Sequence, residues 1–191
     1  MSPSWKPSRE EIAAAQGRTV PDLIAPDLKV LFCGINPSLY SAAVGHHFAR
    51  PGNRFWPALH ASGITRRRLS PFEGHLLLEI GCGITNVVDR ATTAAAEVSA
   101  EEFEAGGRHL ERKVERFRPA FVAFLGITSY RAAFDRPRAT IGLQPEIIGE
   151  TGLWVLPNPS GLNAHYQVAG LAGLFVEMAK AAGLPTRPDG P

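Results

Sequence analysis

The chain has 191 residues, a length that fits one domain able to bury a substantial core without metal or disulfide staples. Twenty Lys plus Arg against 18 Asp plus Glu leave a formal charge of only +2, so any nucleic-acid partner has to be met by a local basic surface rather than by bulk charge. Two cysteines, Cys33 and Cys82, exclude a four-cysteine zinc site or an iron–sulfur cluster, and both stand in apolar surroundings that suit reduced, buried thiols.

Residues 1–26 are poorly patterned and read as a flexible N-terminal arm, with a short helix at most around Glu11 to Gln16. Charged groups interrupt its first 20 residues, unlike an ordinary secretory signal, and no later run reaches the roughly 18 uncharged apolar residues of a spanning helix. A cytoplasmic protein with no membrane partner is the expectation. From about Lys29 to Ile35 an apolar run predicts a buried strand, stopped at Asn36-Pro37. Pro37 bars Asn36 from the helical region, so Asn36 is held at the carboxyl end of the strand, where open α/β sheets place their chemistry. Leu153 to Leu156 followed by Pro157-Asn158-Pro159-Ser160 repeats the arrangement. Two strand-end Asn-Pro turns either flank one crevice or are ordinary turns.

Between Pro37 and Arg54 the segment is too long for a simple crossover and reads as a binding loop. His46-His47 lacks the spaced partners a metal needs, and no cofactor is expected. Phe48 beside them offers a flat ring for a planar substrate. Asn53 can cap a helix through Phe55 and Leu59 to Gly63. Arg66-Arg67-Arg68 either touches a phosphate backbone or is a solvated loop. In the next block, Leu76-Leu77-Leu78 suggests a helix and Cys82 to Arg90 a loop or short strand whose polar end offers Asn86 and Asp89.

Ser99 and Glu102 make a capping box, and Leu110, Val114 and Phe117 mark the apolar stripe of a charged surface helix, with Gly106-Gly107 expected to break or weaken its first turns. Pro119 to Gly126 is another buried strand leading into a helix through Ala133 and Phe134. Leu171, Leu174, Phe175 and Met178 give a closing amphipathic helix that stops near Gly183, and residues 185–191 form an irregular tail. Short apolar strands alternating with helices argue for a mostly parallel sheet covered on both faces, here a single domain over residues 27–184.

Three motifs in order, Gly34-Ile35-Asn36-Pro37, Gly45-His46-His47-Phe48-Ala49-Arg50-Pro51-Gly52-Asn53-Arg54-Phe55-Trp56 and Asn158-Pro159-Ser160-Gly161-Leu162-Asn163, resemble the mismatch-specific uracil-DNA glycosylases, bacterial relatives of thymine-DNA glycosylase. The likeness covers roughly residues 28–182. It implies a three-layer α/β/α sandwich around a short, mostly parallel sheet. It also implies a monomeric, nucleoid-associated enzyme of base excision repair that hydrolyses the N-glycosidic bond of uracil opposite guanine in double-stranded DNA, with thymine or ethenocytosine as further substrates. By the same resemblance Asn36 is the catalytic asparagine that positions water. Ile35, Ser38, Ser41 and Phe48 form the base pocket, Asn86 occupies a pocket position that can bear lysine, and Gly161, Leu162 and Asn163 form the loop that enters the duplex and meets the unpaired guanine. Asp89 is a candidate auxiliary acid. Ser38 stands where the family often has glycine and Ala164 where some members carry arginine. A hydrolase of free nucleosides and a non-catalytic DNA-damage binder are the competing readings; the first has little use for the Leu162 wedge and the second no use for Asn36.

Overall fold

The structure, a computed structural model, describes residues 6–186. Five strands, β1 (Val30–Gly34), β2 (Cys82–Asn86), β3 (Phe121–Leu125), β4 (Gly142–Ile148) and β5 (Thr151–Leu156), form one sheet in the order β2-β1-β3-β5-β4. All neighbours are parallel except β4, which pairs antiparallel with β5 at the edge. This edge strand carries no run of buried residues and contains Pro145, so it left little trace in the sequence pattern.

Alternation along each central strand divides the interior in two. Val30, Phe32, Ala123, Leu125, Trp154 and Leu156 face one core, while Leu31, Cys33, Val122, Phe124, Leu153 and Val155 face the other. The first core is closed by α3 (Phe55–Ala61) and α6 (Val168–Ala181), through Phe55, Leu59, Leu171, Phe175 and Met178. The second is closed by α4 (Ala100–Phe117) and α5 (Ile127–Phe134), through Phe103, Leu110, Val114 and Tyr130. The three-layer α/β/α expectation holds. Each buried Phe or Leu on these faces contributes about 1.5–3 kcal/mol relative to exposure.

Local expectations are corrected at four places. Residues over the described part of the front segment are tied down rather than loose: α1 (Arg9–Ala13) is capped by Ser8, Ala15 and Val20 pack with Ala42 and Ala91, and Leu23 exchanges backbone hydrogen bonds with Ile84. Residues 1–5, and 187–191 of the expected tail, lie outside the described residues. Gly106 and Gly107 do not break α4. A side chain on Gly106 would come within 2.3 Å of the Val87 carbonyl oxygen and one on Gly107 within 2.5 Å of that of Ala133, so both permit close packing of the helix at some cost in propensity. The stretch Pro71–Ile80 forms tight 3₁₀ turns rather than an α-helix. Part of the expected loop after Pro37 is helical, as α2 (Leu39–Val44).

The chain leaves β1 for β2 on one side and then crosses to β3 on the other. The carboxyl ends of β1 and β3 therefore diverge into a crevice, the place where open α/β sheets bind ligands.

Candidate active site

A cavity of about 270 Å³ opens at that crevice, at the small end of ligand pockets, which run to roughly 300–1,000 Å³. Asn36 and Asn158, the two strand-end asparagines, both line it, so the two Asn-Pro turns do flank one site. Ile35, Ser38, Ser41, Phe48, Asn86 and Leu162 line it as well.

Asn36 is half-buried, and its amide is fixed from one end. Its Nδ2 donates to the Arg90 carbonyl at 3.1 Å and to Thr92 Oγ1 at 2.8 Å. The Thr92 hydroxyl spends its own proton on the Ala94 carbonyl, so towards Asn36 it can only accept. Two acceptors on one side place the nitrogen there and leave Oδ1 without a partner among the described residues. The loop that supplies them is anchored by Arg90, whose guanidinium meets the Glu102 carboxylate and the Glu97 carbonyl. The Arg90 hydrogen bond, followed by that from the Ser99 backbone, holds the Glu102 carboxyl down to about 2. Thr92 escaped the sequence reading. Its only signal is its place shortly after a strand end.

Ser38 needs no glycine conformation, with φ −71° and ψ 157°. It caps α2 by accepting from Ser41 N–H, and its hydroxyl donates to Ser41 Oγ, which also accepts from Ala49 N–H. The hydroxyl in place of a hydrogen thus ties together the two loops that carry the pocket wall.

Phe48 adopts φ 53°, a left-handed conformation that costs a bulky residue of order 1–3 kcal/mol and persists only when the surroundings enforce it. The Phe55 ring lies 4.3 Å away centroid to centroid, and the indole N–H of Trp56 donates to the carbonyl of His47. Phe55 and Trp56 thereby hold the ring against the cavity from α3. Phe48 and Asn86 converge on Gly34: a Cβ there would lie 2.4 Å from Asn86 Oδ1 and 3.3 Å from the Phe48 ring.

Asn86 is buried at the end of β2. Its Nδ2 lies 3.4 Å from Nδ1 of the buried His47, whose Nε2 lies 2.9 Å from the Pro21 carbonyl oxygen. Burial holds the His47 imidazole below its ordinary pKa, outweighing the upward pull of the Pro21 hydrogen bond and Asp22. His46 is likewise lowered by burial and by His75, and its ring packs on Phe72. No group of three or more His, Cys, Asp or Glu that could hold a metal occurs among the described residues.

Asp89 is exposed and does not line the cavity; Arg90 pairs with Glu102 instead of with it, and an auxiliary acid role finds no geometric support. Of the arginine triplet, all three are exposed, Arg67 pairs with Glu73, and none lines the cavity.

Leu162 stands at the rim with 77% of its surface exposed, an unusual position for a leucine in a chain with few other large exposed apolar groups. Its loop is held by a residue of the second motif to which the sequence assigned no role. Arg54 Nη1 donates to the carbonyls of Ser160, Asn163 and Tyr166, and Nη2 to that of Gly161, at 2.7–3.2 Å. Its own N–H donates to the Pro159 carbonyl. Gly161 presses on the Gly52 carbonyl so closely that a Cβ would lie 2.6 Å from that oxygen. The Asn163 side chain bonds to the Asn158 carbonyl and to His165 N–H, within its own loop, so it serves the turn first. Gly161 and Asn163 flank Leu162 but do not line the base cavity.

The crevice at the carboxyl ends of the parallel strands thus brings together a fixed amide, an aromatic ring against its wall and an apolar side chain at its mouth. Over residues 21–178 the chain matches the family model of the Uracil DNA glycosylase superfamily, and it belongs to that superfamily. Members are DNA glycosylases, hydrolases of the bond between base and sugar. None of the helices among the described residues is long and apolar enough to cross a membrane.

Proposed function

We propose that the protein is a monofunctional, mismatch-directed glycosylase that removes uracil opposite guanine from double-stranded DNA and leaves an abasic site for base excision repair. The observation that carries this is Asn36: an uncharged amide on the cavity wall whose nitrogen is tied back and whose oxygen has no partner among the described residues. Such an oxygen orients a water by accepting its hydrogen bond but is too weak a base to remove its proton early. Bond breaking therefore runs ahead of water addition, with positive charge on the sugar and negative charge on the departing base. Donors around the base then matter more than a general base. Phe48 lines the cavity and its N–H makes no hydrogen bond among the described residues, so it is available as such a donor.

A base inside a duplex reaches this cavity only after leaving the stack, and a G·U pair opens more cheaply than a matched one. Leu162 is suited to fill the vacated place, and the remaining backbone or side-chain polar groups of Gly161 and Asn163 beside it to meet the orphaned guanine. Arg50, exposed where the cavity meets the Leu162 groove and without an ion pair among the described residues, supplies positive charge for a phosphate. The cavity is lined by no lysine, which argues against a Schiff-base lyase step.

The test is base release from uracil opposite guanine, uracil opposite adenine, uracil in single strand and free deoxyuridine. Release fastest from the G·U duplex is expected. Cleavage of deoxyuridine would instead make the protein a nucleoside hydrolase, and tight duplex binding without release a damage-binding protein.

A further inference from the structure

The front of the chain reaches Asn36 through a single residue, Ala91. Both acceptors that hold Asn36 Nδ2, the Arg90 carbonyl and Thr92 Oγ1, stand beside Ala91 in sequence. The segment before β1 holds both backbone groups of Ala91: Gly17 N–H donates to its carbonyl at 3.0 Å, and its own N–H donates to the Arg18 carbonyl at 2.8 Å. Its methyl is fully buried with Ala15, Val20 and Ala42. Gln16 Nε2 lies 3.5 Å from the Glu97 carboxylate, whose other oxygen accepts from the N–H of Ala94 on the cavity wall.

We propose that Gly17 and Arg18 are positioning residues for base release, a backbone clamp that sets the orientation of the Asn36 amide through Ala91. A trans peptide unit is flat and rigid, with its N–H and C=O pointing opposite ways, so fixing one end aims the other. The Arg90 carbonyl and the Ala91 N–H belong to one such unit, which therefore runs from the Arg18 carbonyl at one end to Asn36 Nδ2 at the other. The Ala91 carbonyl and the Thr92 N–H belong to the next, which runs from the Gly17 N–H to the carbonyl of Pro37, the residue after Asn36. Freed from the clamp, these buried groups would turn to find other partners and take the Arg90 carbonyl with them. The proposal rests on the glycosylase reading for what the amide does, and adds to it the part of the chain that keeps the amide aimed.

Gly17 is the place to open the clamp. Its φ of 75° lies in the left-handed region, and a Cβ there would meet nothing within 4 Å. Proline has no N–H and is locked near φ −65°, so Gly17→Pro removes both the donor and the turn. Asparagine keeps the donor, tolerates the left-handed region and has room, so Gly17→Asn preserves both.

At saturating protein, single-turnover release from a G·U duplex is expected to fall about tenfold in Gly17→Pro, equally on single strand and with duplex Kd unchanged. In Gly17→Asn it should stay within about threefold of wild type. Gly17→Pro added to Asn36→Ala should cost nothing further. The side-chain amide resonance of Asn36, assigned by its loss in Asn36→Ala, should shift or broaden in Gly17→Pro and hold its place in Gly17→Asn. Val20→Ala keeps both backbone bonds and only thins the packing around Ala91; it should lose about threefold and broaden the same resonance, a test that stands even if Gly17→Pro does not fold. A segment that served stability alone would lower Tm in these variants and leave the saturated rate and the resonance at their wild-type values. That result would overturn the clamp, as would a further loss in the Asn36→Ala background. If the wild type releases no base, the glycosylase reading fails, and the resonance still decides whether the clamp aims the amide: a signal unmoved in both Gly17→Pro and Val20→Ala rejects it, and one moved in either upholds it.

Discussion

The base cavity and the Leu162 loop meet at one rim, yet they are held in place by opposite means. In the cavity, neutral side chains fix neutral side chains: Thr92 and the Arg90 carbonyl fix Asn36, and His47 stands behind Asn86. In the loop, a single cation gathers four backbone carbonyls, and a large apolar side chain, Leu162, is sent outward. A charge within the cavity would alter the chemistry of the leaving base, whereas a charge behind the loop stiffens it without touching the reaction. The two regions should therefore fail differently, the cavity on every substrate and the loop on duplex alone.

The largest expected effect comes from Asn36→Ala. Without the amide no group holds water against the sugar, and single-turnover release should fall about 1,000-fold, equally on duplex and single strand, with duplex binding retained. A gel-shift assay beside the release assay separates the two; release near the wild-type rate would remove Asn36 from the chemistry.

Arg54→Met comes next and should reverse the pattern. Four carbonyls lose a charge-assisted donor, and the loop loses its fixed turn; duplex release should fall about 100-fold while single-strand release stays within about threefold. Amide exchange over residues 160–166 should quicken in the free protein. Equal losses on both substrates would mean that the two regions are not separable. Leu162→Ala tests the same side of the comparison with the turn intact. It should cost about 30-fold on duplex and little on single strand, because the unfilled gap lets the base return. Equal losses on both substrates would argue against wedging.

How far the sequence revealed these parts follows from the same contrast. The strands that carry Asn36 and Asn158 were legible because alternate burial on two cores makes them continuously apolar, and a proline ends each at the site. Leu162 was legible as an apolar residue among turn formers. Arg54 was not, since its bonds go to carbonyls more than 100 positions away, and a backbone acceptor has no residue type. Thr92 and the Pro21–His47–Asn86 chain were hidden for the same reason: each contact joins a side chain to a partner set by the fold. Asp89 misled because a carboxylate near a strand end looks chemical, yet here it points into solvent exposure while Glu102 takes its arginine. The edge strand β4 went unread because solvent covers what a pattern would need to bury.

The smallest effect, from Thr92→Val, is the finest probe of the cavity side. The substitution keeps the shape of the side chain but removes the acceptor that Asn36 Nδ2 uses at 2.8 Å, while the Arg90 carbonyl remains. One of two anchors is lost, so the amide stays in place more loosely and spends part of its time with its nitrogen towards the cavity. Release should fall about tenfold, the worth of one hydrogen bond that orients a reacting water. The loss should be the same on duplex and single strand, because neither the Leu162 loop nor its Arg54 support has moved. In an Asn36→Ala background Thr92→Val should cost nothing further, since Thr92 acts only through the amide it holds. A further loss there would give the Thr92 hydroxyl a role of its own at the sugar, and a loss confined to duplex would place it with the loop.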